Sequence, residues 1–324
     1  MLSCSKFATL PLLAVLPKLR CMTTALITHP DCLNHINPDG HPERVGRLHA
    51  IAAALQDFEL LRIEAPIGED EHILRAHPQT HIDRIKAAGV GHLDADTYMS
   101  EGSLRAAYRG VGAVVRAVDM VMGDNVTNVF CAVRPPGHHA ERETPMGFCL
   151  FGNITVAAKH ALESHGLSRV AIMDFDVHHG NGTQDLVWED DRILFASSHQ
   201  MPLYPGSGAA HETGAHGNVL NVPLDPETDG AVFRKAMDTQ LLPAIDVLAP
   251  ELILISAGFD AHKDDPLAQI NLESKDYYTL TKRILNLAKN LCNGKVVSIL
   301  EGGYNLNALK ESVDYHVKSL IESK

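Results

Sequence analysis

The sequence predicts a doubly wound, mostly parallel α/β sheet with helices on both faces, built as one domain. Three observations carry this reading. Strand-like and helix-like segments alternate along the chain, which favours parallel strands joined by crossover helices. Several strand-like segments, at 169–175, 252–256 and 296–300, are nearly uninterrupted Val, Ile and Leu runs, as expected of strands buried on both faces. Each of these three runs is followed by chemically capable side chains, and strand C-termini are where open α/β sheets build their sites.

The elements follow in order. Residues 23–28 read as a first strand, followed by a turn-rich loop bearing His29, His35 and His41-Pro-Glu-Arg44. These histidines read as a solvated turn rather than as a second chemical cluster. A helix is expected from about Glu43 to Gln56. The segment 103–122 places Leu104, Ala107, Tyr108, Val111, Val114, Val115, Val118 and Met122 at helical spacing, so it forms an amphipathic cover for the sheet. Residues 125–133 return as a strand. Further strands are expected at 169–175, 193–197, 252–256 and 296–300, with helices at about 153–166, 230–248, 274–292 and 305–322. The longest loop, about 199–218, carries glycines and prolines suited to a rim.

The bulk properties narrow the class. The chain has 324 residues, 45% hydrophobic and 21% charged, enough for one large core. A formal charge of -12 argues against a mainly electrostatic grip on nucleic acid or on an anionic membrane, and would attract a basic substrate such as a lysine-rich tail or a polyamine. The six cysteines are dispersed with no CxxC pair, as expected of reduced thiols, and no apolar stretch has transmembrane length. Residues 1–21 read separately from the domain at 22–324. They hold a short apolar stretch at 10–16, with Lys6, Lys18 and Arg20, and no acidic residue precedes Asp31. This composition fits an organelle-targeting segment and equally a dispensable extension ahead of Met22. The expected location is cytoplasmic, or mitochondrial or another organelle if the segment is a targeting signal.

Four motifs carry the chemistry: Arg134-Pro-Pro-Gly-His-His-Ala140, Asp174-Phe-Asp-Val-His-His-Gly-Asn-Gly-Thr183, Ser256-Ala-Gly-Phe-Asp260 and Glu301-Gly-Gly-Tyr304. Asp176 and His178, two apart in an extended segment, point to one side, and Asp260 supplies a third ligand. Two carboxylates and one imidazole balance a divalent cation and leave positions open for water and substrate. Zn2+ is the first choice, and Fe2+ or Co2+ suit the same oxygen and nitrogen donors. His138 and His139 are the candidate proton carriers, with Asp174 and Asn181 as their orienting partners. A carboxylate beside His138 favours its cation, whereas an amide leaves His139 nearer its ordinary pKa and better suited to shuttle a proton. The Tyr304 hydroxyl is placed to donate to an oxyanion.

Together these motifs resemble the zinc-dependent histone deacetylase family, of the arginase-deacetylase fold, from about Thr23 to near the C-terminus. Asn181, where the family's other main branch carries aspartate, places the chain with the class II and bacterial histone deacetylase-like amidohydrolases. The resemblance implies metal ligands at Asp176, His178 and Asp260, the histidine pair at His138 and His139, and the transition-state tyrosine at Tyr304. It also implies an acyl-lysine tunnel formed by Gly147, Phe148 and Tyr204, with Leu267 near the rim and Asp96 holding the substrate backbone. Tyr204 stands where the family has phenylalanine. A potassium ion (K+) near Asp174 and Ser197 and an acetate-exit role for Arg47 are implied in the same way; for Arg47 a surface salt bridge is the plain alternative. Cys149 reads as a small buried hydrophobe rather than a nucleophile.

The expected function is removal of acetyl or other acyl groups from lysine side chains of peptides or proteins. An acetylpolyamine deacetylase would use the same chemistry, but a gatekeeping acid is expected there and Leu267 occupies the position. A catalytically inactive acetyl-lysine-binding scaffold is the reading from another class. An arginase-like hydrolase would need further bridging carboxylates.

Overall fold

Runs of Val, Ile, Leu and Ala enclosed on both faces form the middle of the sheet, and their C-terminal ends share one edge. The structure, a computed structural model, describes residues 23–323. The readings made for residues 1–21 lie outside the described residues. The strands are β1 (Thr24–Thr28), β2 (Leu61–Glu64), β3 (Gly91–His92), β4 (Tyr98–Met99), β5 (Asn128–Cys131), β6 (Val170–Asp174), β7 (Ile193–Gln200), β8 (Val219–Leu224), β9 (Leu252–Ala257) and β10 (Val296–Leu300). The helices are α1 (Gly46–Leu55), α2 (Asp70–Ile73), α3 (Gln79–Ala87), α4 (Ser103–Met122), α5 (Asn153–His165), α6 (Asn181–Val187), α7 (Gly230–Ala236), α8 (Leu242–Leu248), α9 (Ser274–Cys292) and α10 (Leu306–Ile321).

Eight strands form one sheet in the order β2-β1-β5-β10-β9-β6-β7-β8, and every adjacent pair is parallel. β3 and β4 make a separate antiparallel pair. On one face α4 packs against α5 and against β5 and β10, while α5 reaches β6 and β9. On the other, α1, α10, α9 and α8 follow one another, with α9 against β9 and α8 against β7. Every residue of β5, β6, β9 and β10 is buried, which is why these segments read as unbroken apolar runs rather than as alternating ones.

Local chemistry sets several boundaries. α5 stops at Gly166, whose φ of 68° is a left-handed C-terminal cap. α9 opens with a reciprocal capping box between Glu273 and Asp276 and closes on Asn293 at φ 55°. At the start of α10, Asn305 Oδ1 accepts from the backbone N–H groups of Asn307 and Ala308, each at 3.1 Å, and so fixes the chain immediately after Tyr304.

The structure departs from the sequence reading in specific places. The helix expected from Glu43 begins at Gly46, and the strand expected over 125–133 shortens to β5. The helix expected over 230–248 is interrupted by a π turn at Met237–Leu241 between α7 and α8. β2, β3, β4, β8 and the short helices α2, α3 and α6 have no counterpart in the sequence reading. The histidine-bearing loop is no solvated turn. His35 is buried, with Nδ1 2.7 Å from Ser103 Oγ, and the His41 ring packs edge-on against Phe148 at 4.7 Å while Nε2 lies 3.0 Å from the Asp96 carbonyl.

Candidate metal centre and its tunnel

The four central strands, β5, β10, β9 and β6, deliver all four motifs to the same edge. Asp176 and His178 do not continue β6 as an extended segment; they lie in a bent loop just beyond it. Their arrangement comes from two successive aspartate turns. Asp174 Oδ1 accepts from Asp176 N–H at 3.0 Å, and Asp176 Oδ1 accepts from His178 N–H at 2.9 Å. Side-chain hydrogen bonds, rather than strand pleating, thus aim both groups at one point.

At that point Asp176, His178 and Asp260 converge, with one ligand atom from each within 4.8 Å of the others and all three residues buried. His178 Nδ1 lies 3.1 Å from Asp176 Oδ1 and 3.2 Å from Asp260 Oδ2. Asp260 Oδ1 accepts from Val177 N–H at 2.9 Å, whereas the buried Asp260 Oδ2 makes no hydrogen bond among the described residues and has only the charge of the His178 ring, 3.2 Å away, beside it. A buried carboxylate oxygen left in this way is costly unless a cation meets it. The donor set of two carboxylates and an imidazole, with this orphaned oxygen, fits a divalent metal. Burial opposes a charge on His178, yet the neighbouring Asp176 and Asp260 outweigh it and raise its pKa to about 10. A cation binding there displaces that proton.

The histidine pair lies beside the ligands, with ring centroids 4.0 Å apart. His138 Nδ1 donates to Asp174 Oδ2 at 3.1 Å, and His139 Nδ1 is 2.7 Å from Asn181 Oδ1, so the expected partners are the observed ones. Burial resists a cation at His138, but Asp176, Asp174 and Glu301 raise its pKa to about 10. His139 moves the other way. Burial and the positive charges of His138 and His178 hold it well below the ordinary value, further than the amide partner alone suggested. His139 is therefore the neutral ring of the pair.

Glu301 has a role the sequence reading missed. Its Oε2 accepts from the backbone N–H groups of Gly137 and His138 at 2.7 and 3.2 Å, and Oε1 accepts from Ser256 Oγ at 3.1 Å. A fully buried carboxylate thus ties the histidine motif to the tyrosine motif. The available signal was an acid ending an apolar run.

Tyr304 is buried. Its N–H donates to Asp265 Oδ2 at 2.7 Å, and the Arg47 guanidinium lies 5.1 Å from its ring centroid. Arg47 is no surface salt bridge: it is fully buried, donates to the Gly303 carbonyl at 2.7 Å and to the Glu301 carbonyl, and meets Glu43 at 3.2 Å. It braces the loop that presents Tyr304. Burial, with the charges of Asp260 and Asp176, pushes the phenol well above its ordinary pKa and keeps it a donor.

A cavity of about 260 Å³ leads to this site, lined by His139, His178, Tyr304, Gly147, Phe148, Tyr204, Leu203, Leu267 and Asp96. Gly147, Phe148, Tyr204, Leu267 and Asp96, which the resemblance implies for a tunnel, all lie in that lining. Gly147 and Phe148 have φ of 56° and 69°, and a Cβ on Gly147 would strike the His139 ring. Phe148 is held in this conformation by its N–H bond to Thr97 Oγ1 at 3.0 Å. Asp96 Oδ1 accepts from Gly147 N–H at 3.2 Å and from Thr97 Oγ1 at 3.0 Å, so this acid also shapes the wall. Cys149 is buried, with burial raising its thiol well above the ordinary value, as a packing residue requires.

Asp119, His160 and His165 form another close group among the described residues. Here Arg75 donates to His160 Nδ1, so the ring's proton sits on Nε2, which donates to Asp119 Oδ1 at 2.8 Å. A metal-bound imidazole needs the opposite arrangement, an acceptor at its remote nitrogen. This group is a hydrogen-bonded network.

Comparison with known proteins gives the family and the fold. The histone deacetylase domain profile matches residues 41–320. Histone deacetylase 10, chloroplastic, of rice (Oryza sativa subsp. japonica) is 40% identical over 305 residues, covering 86% of this chain and 69% of the rice protein. A probable deacetylase of Archaeoglobus fulgidus is 35% identical over 296 residues, covering 88% of this chain and 82% of that one. The crystal structure of the HDA15 HD domain superposes with a TM-score of 0.87 at 34% identity, covering 92% of this chain and 91% of that chain.

Proposed function

The chain belongs to the histone deacetylase family, and on that premise we propose that it hydrolyses acetyl or other acyl groups from the ε-amine of lysine in peptides or proteins. Its fold is the arginase-deacetylase fold, and the family assignment makes it a deacetylase-type hydrolase. The observation that carries the substrate reading is the 260 Å³ tunnel with His139, His178 and Tyr304 in its lining and apolar side chains along its walls. Such a passage suits an uncharged acylated alkyl arm and brings its carbonyl to the polar end.

Asp176, His178 and Asp260 would hold a divalent cation, which supplies Lewis acidity toward the acyl carbonyl and toward water. Zn2+ is the proposed metal, with Fe2+ and Co2+ compatible with the same donors. His139 takes the water proton at Nε2, because Nδ1 is committed to Asn181, and returns it to the leaving amine. His138, whose cation is favoured against burial by Asp176 and by its partner Asp174, supplies positive charge next to the developing oxyanion. Tyr304 donates its hydroxyl proton as a hydrogen bond to that oxyanion. Phe148, Tyr204 and Leu267 exclude water around the alkyl arm, and Asp96 at the lip accepts from the substrate backbone.

A potassium ion beside Asp174 and Ser197 is part of the same proposal, supported by their pairing across β6 and β7. Removing K+ would leave activity and stability unchanged if that part is wrong. No helix among the described residues is long and apolar enough to cross a membrane. The proposed location is the cytoplasm, or an organelle if residues 1–21 direct the chain there. A fluorescent fusion carrying 1–21 that stays cytosolic would remove the organelle reading.

The deciding assay is turnover on acetyl-lysine and longer acyl-lysine peptides against N-acetylspermidine. Faster release from the peptides supports the proposal. Preference for the polyamine overturns the substrate, and binding of acetyl-lysine without acetate release makes the chain a scaffold.

A further inference from the structure

An asparagine amide has an acceptor at one end and a donor at the other on nearly the same outline, so its orientation depends on its neighbours. Asn181 is the partner of His139, and which end it presents decides which ring nitrogen carries the proton. With Oδ1 toward His139, Nδ1 is protonated and the Nε2 lone pair is available as a base. With the amide turned over, the NH2 group would face Nδ1 and drive the proton onto Nε2, where no base remains.

Two acceptors hold the amide in the productive sense. Asn181 Nδ2 donates to Glu141 Oε1 at 2.8 Å and contacts Met146 Sδ at 3.3 Å. An ionised carboxylate only accepts, so it selects the NH2 end of Asn181 and rejects the carbonyl end. Glu141 is itself held in place, because its N–H donates to the Thr144 carbonyl at 3.0 Å and its carbonyl accepts from Thr144 N–H at 3.4 Å. It lies two residues beyond His139, is partly exposed, and is not among the residues lining the tunnel.

We propose that Glu141 is a positioning residue of the reaction: through Asn181 it fixes the His139 tautomer that leaves Nε2 free to accept a proton. This rests on the reading of His139 as the base. The chain places a carboxylate one amide away from the imidazole, at the end of a His139–Asn181–Glu141 relay. The neutral amide transmits orientation without putting a full negative charge against the ring.

The test combines steady-state kinetics of the metal-loaded enzyme on an acetyl-lysine peptide with two-bond 1H–15N correlation spectra of the histidine side chains. His139 in the unmodified protein should show a protonated Nδ1 and a bare Nε2. Glu141→Ala should lower kcat about 10- to 100-fold with KM within about twofold, and should mix the His139 tautomers. Glu141→Gln, whose side-chain carbonyl still accepts from Asn181, should restore most of kcat. In an Asn181→Asp background, where both oxygens accept and turning over changes nothing, adding Glu141→Ala should cost no further activity. The proposal is overturned if Glu141→Ala leaves tautomer and kcat unchanged, or if it costs as much in the Asn181→Asp background. Failure of the unmodified protein to hydrolyse any acyl-lysine removes the deacetylase reading instead, and the spectra still decide whether Glu141 orients the relay.

Discussion

The backbone N–H of Gly302 donates to Asp176 Oδ2 at 2.8 Å, so the loop that carries Tyr304 is also part of the proposed metal cradle. A Cβ at residue 302 would land on the Asp260 and Asp176 carboxylates. Gly302→Ala is therefore expected to weaken divalent metal binding about 10- to 100-fold, measured by competition with a chromophoric chelator. Unchanged affinity would mean that the cradle does not hold the ion.

Tyr304→Phe removes one hydrogen-bond donor and little else. Its expected cost is about 3 to 4 kcal/mol of barrier, or roughly a 10²- to 10³-fold fall in kcat, with KM nearly unchanged and the melting temperature preserved. A variant retaining normal kcat would remove Tyr304 from the oxyanion role.

The two histidines should respond differently. His139→Ala is expected to lower kcat by about 10² to 10⁴, the usual worth of a general base. Asp174→Asn withdraws the carboxylate that helps keep His138 cationic, so it should lower kcat less than His139→Ala does while leaving KM alone. Equal activity in His139→Ala and the unmodified chain would assign the base elsewhere.

The convergence of Asp176, His178 and Asp260 beside the histidine pair is legible in the sequence because short motifs hold these residues, and because buried parallel strands leave unmistakable apolar runs. The reason given for Asp176 and His178 was a strand period, yet aspartate turns do the aiming. Strand β2 escaped notice because it is an exposed edge strand of only four residues with Arg62 and Glu64 in it. Strand β8 follows directly on the glycine-bearing loop and contains Pro223, which an edge strand tolerates. Helix α6 begins inside the Asp174–Thr183 motif, at Asn181, and is only seven residues long. Glu301, Asp265 and Glu141 were passed over because each acts on a backbone or amide contributed by another segment, and one chain gives no local pattern for such partners.

A share of the fold's acid sensitivity follows from His316. Its Nδ1 lies 2.7 Å from Thr281 Oγ1 and its Nε2 2.9 Å from Ser298 Oγ, and full burial lowers its pKa from the ordinary 6.5 to about 3. Below pH 6.5 the unfolded chain binds a proton that the folded chain refuses, so this histidine's contribution is complete above 6.5 and declines toward pH 3. The slope is at most about 1.4 kcal/mol per pH unit. Urea melts of His316→Gln should show a shallower loss of stability between pH 6.5 and 4 than the unmodified protein. An identical slope would place the acid sensitivity in other groups, such as His77, which burial also lowers to about 3.

The most direct measurement is hydrolysis of an acetyl-lysine peptide before demetallation, after it, and after one equivalent of Zn2+ is restored. Loss of turnover to background on removal and recovery on addition is the expected result. Undiminished hydrolysis by the metal-free chain would contradict the assignment of Asp176, His178 and Asp260 as the heart of the site.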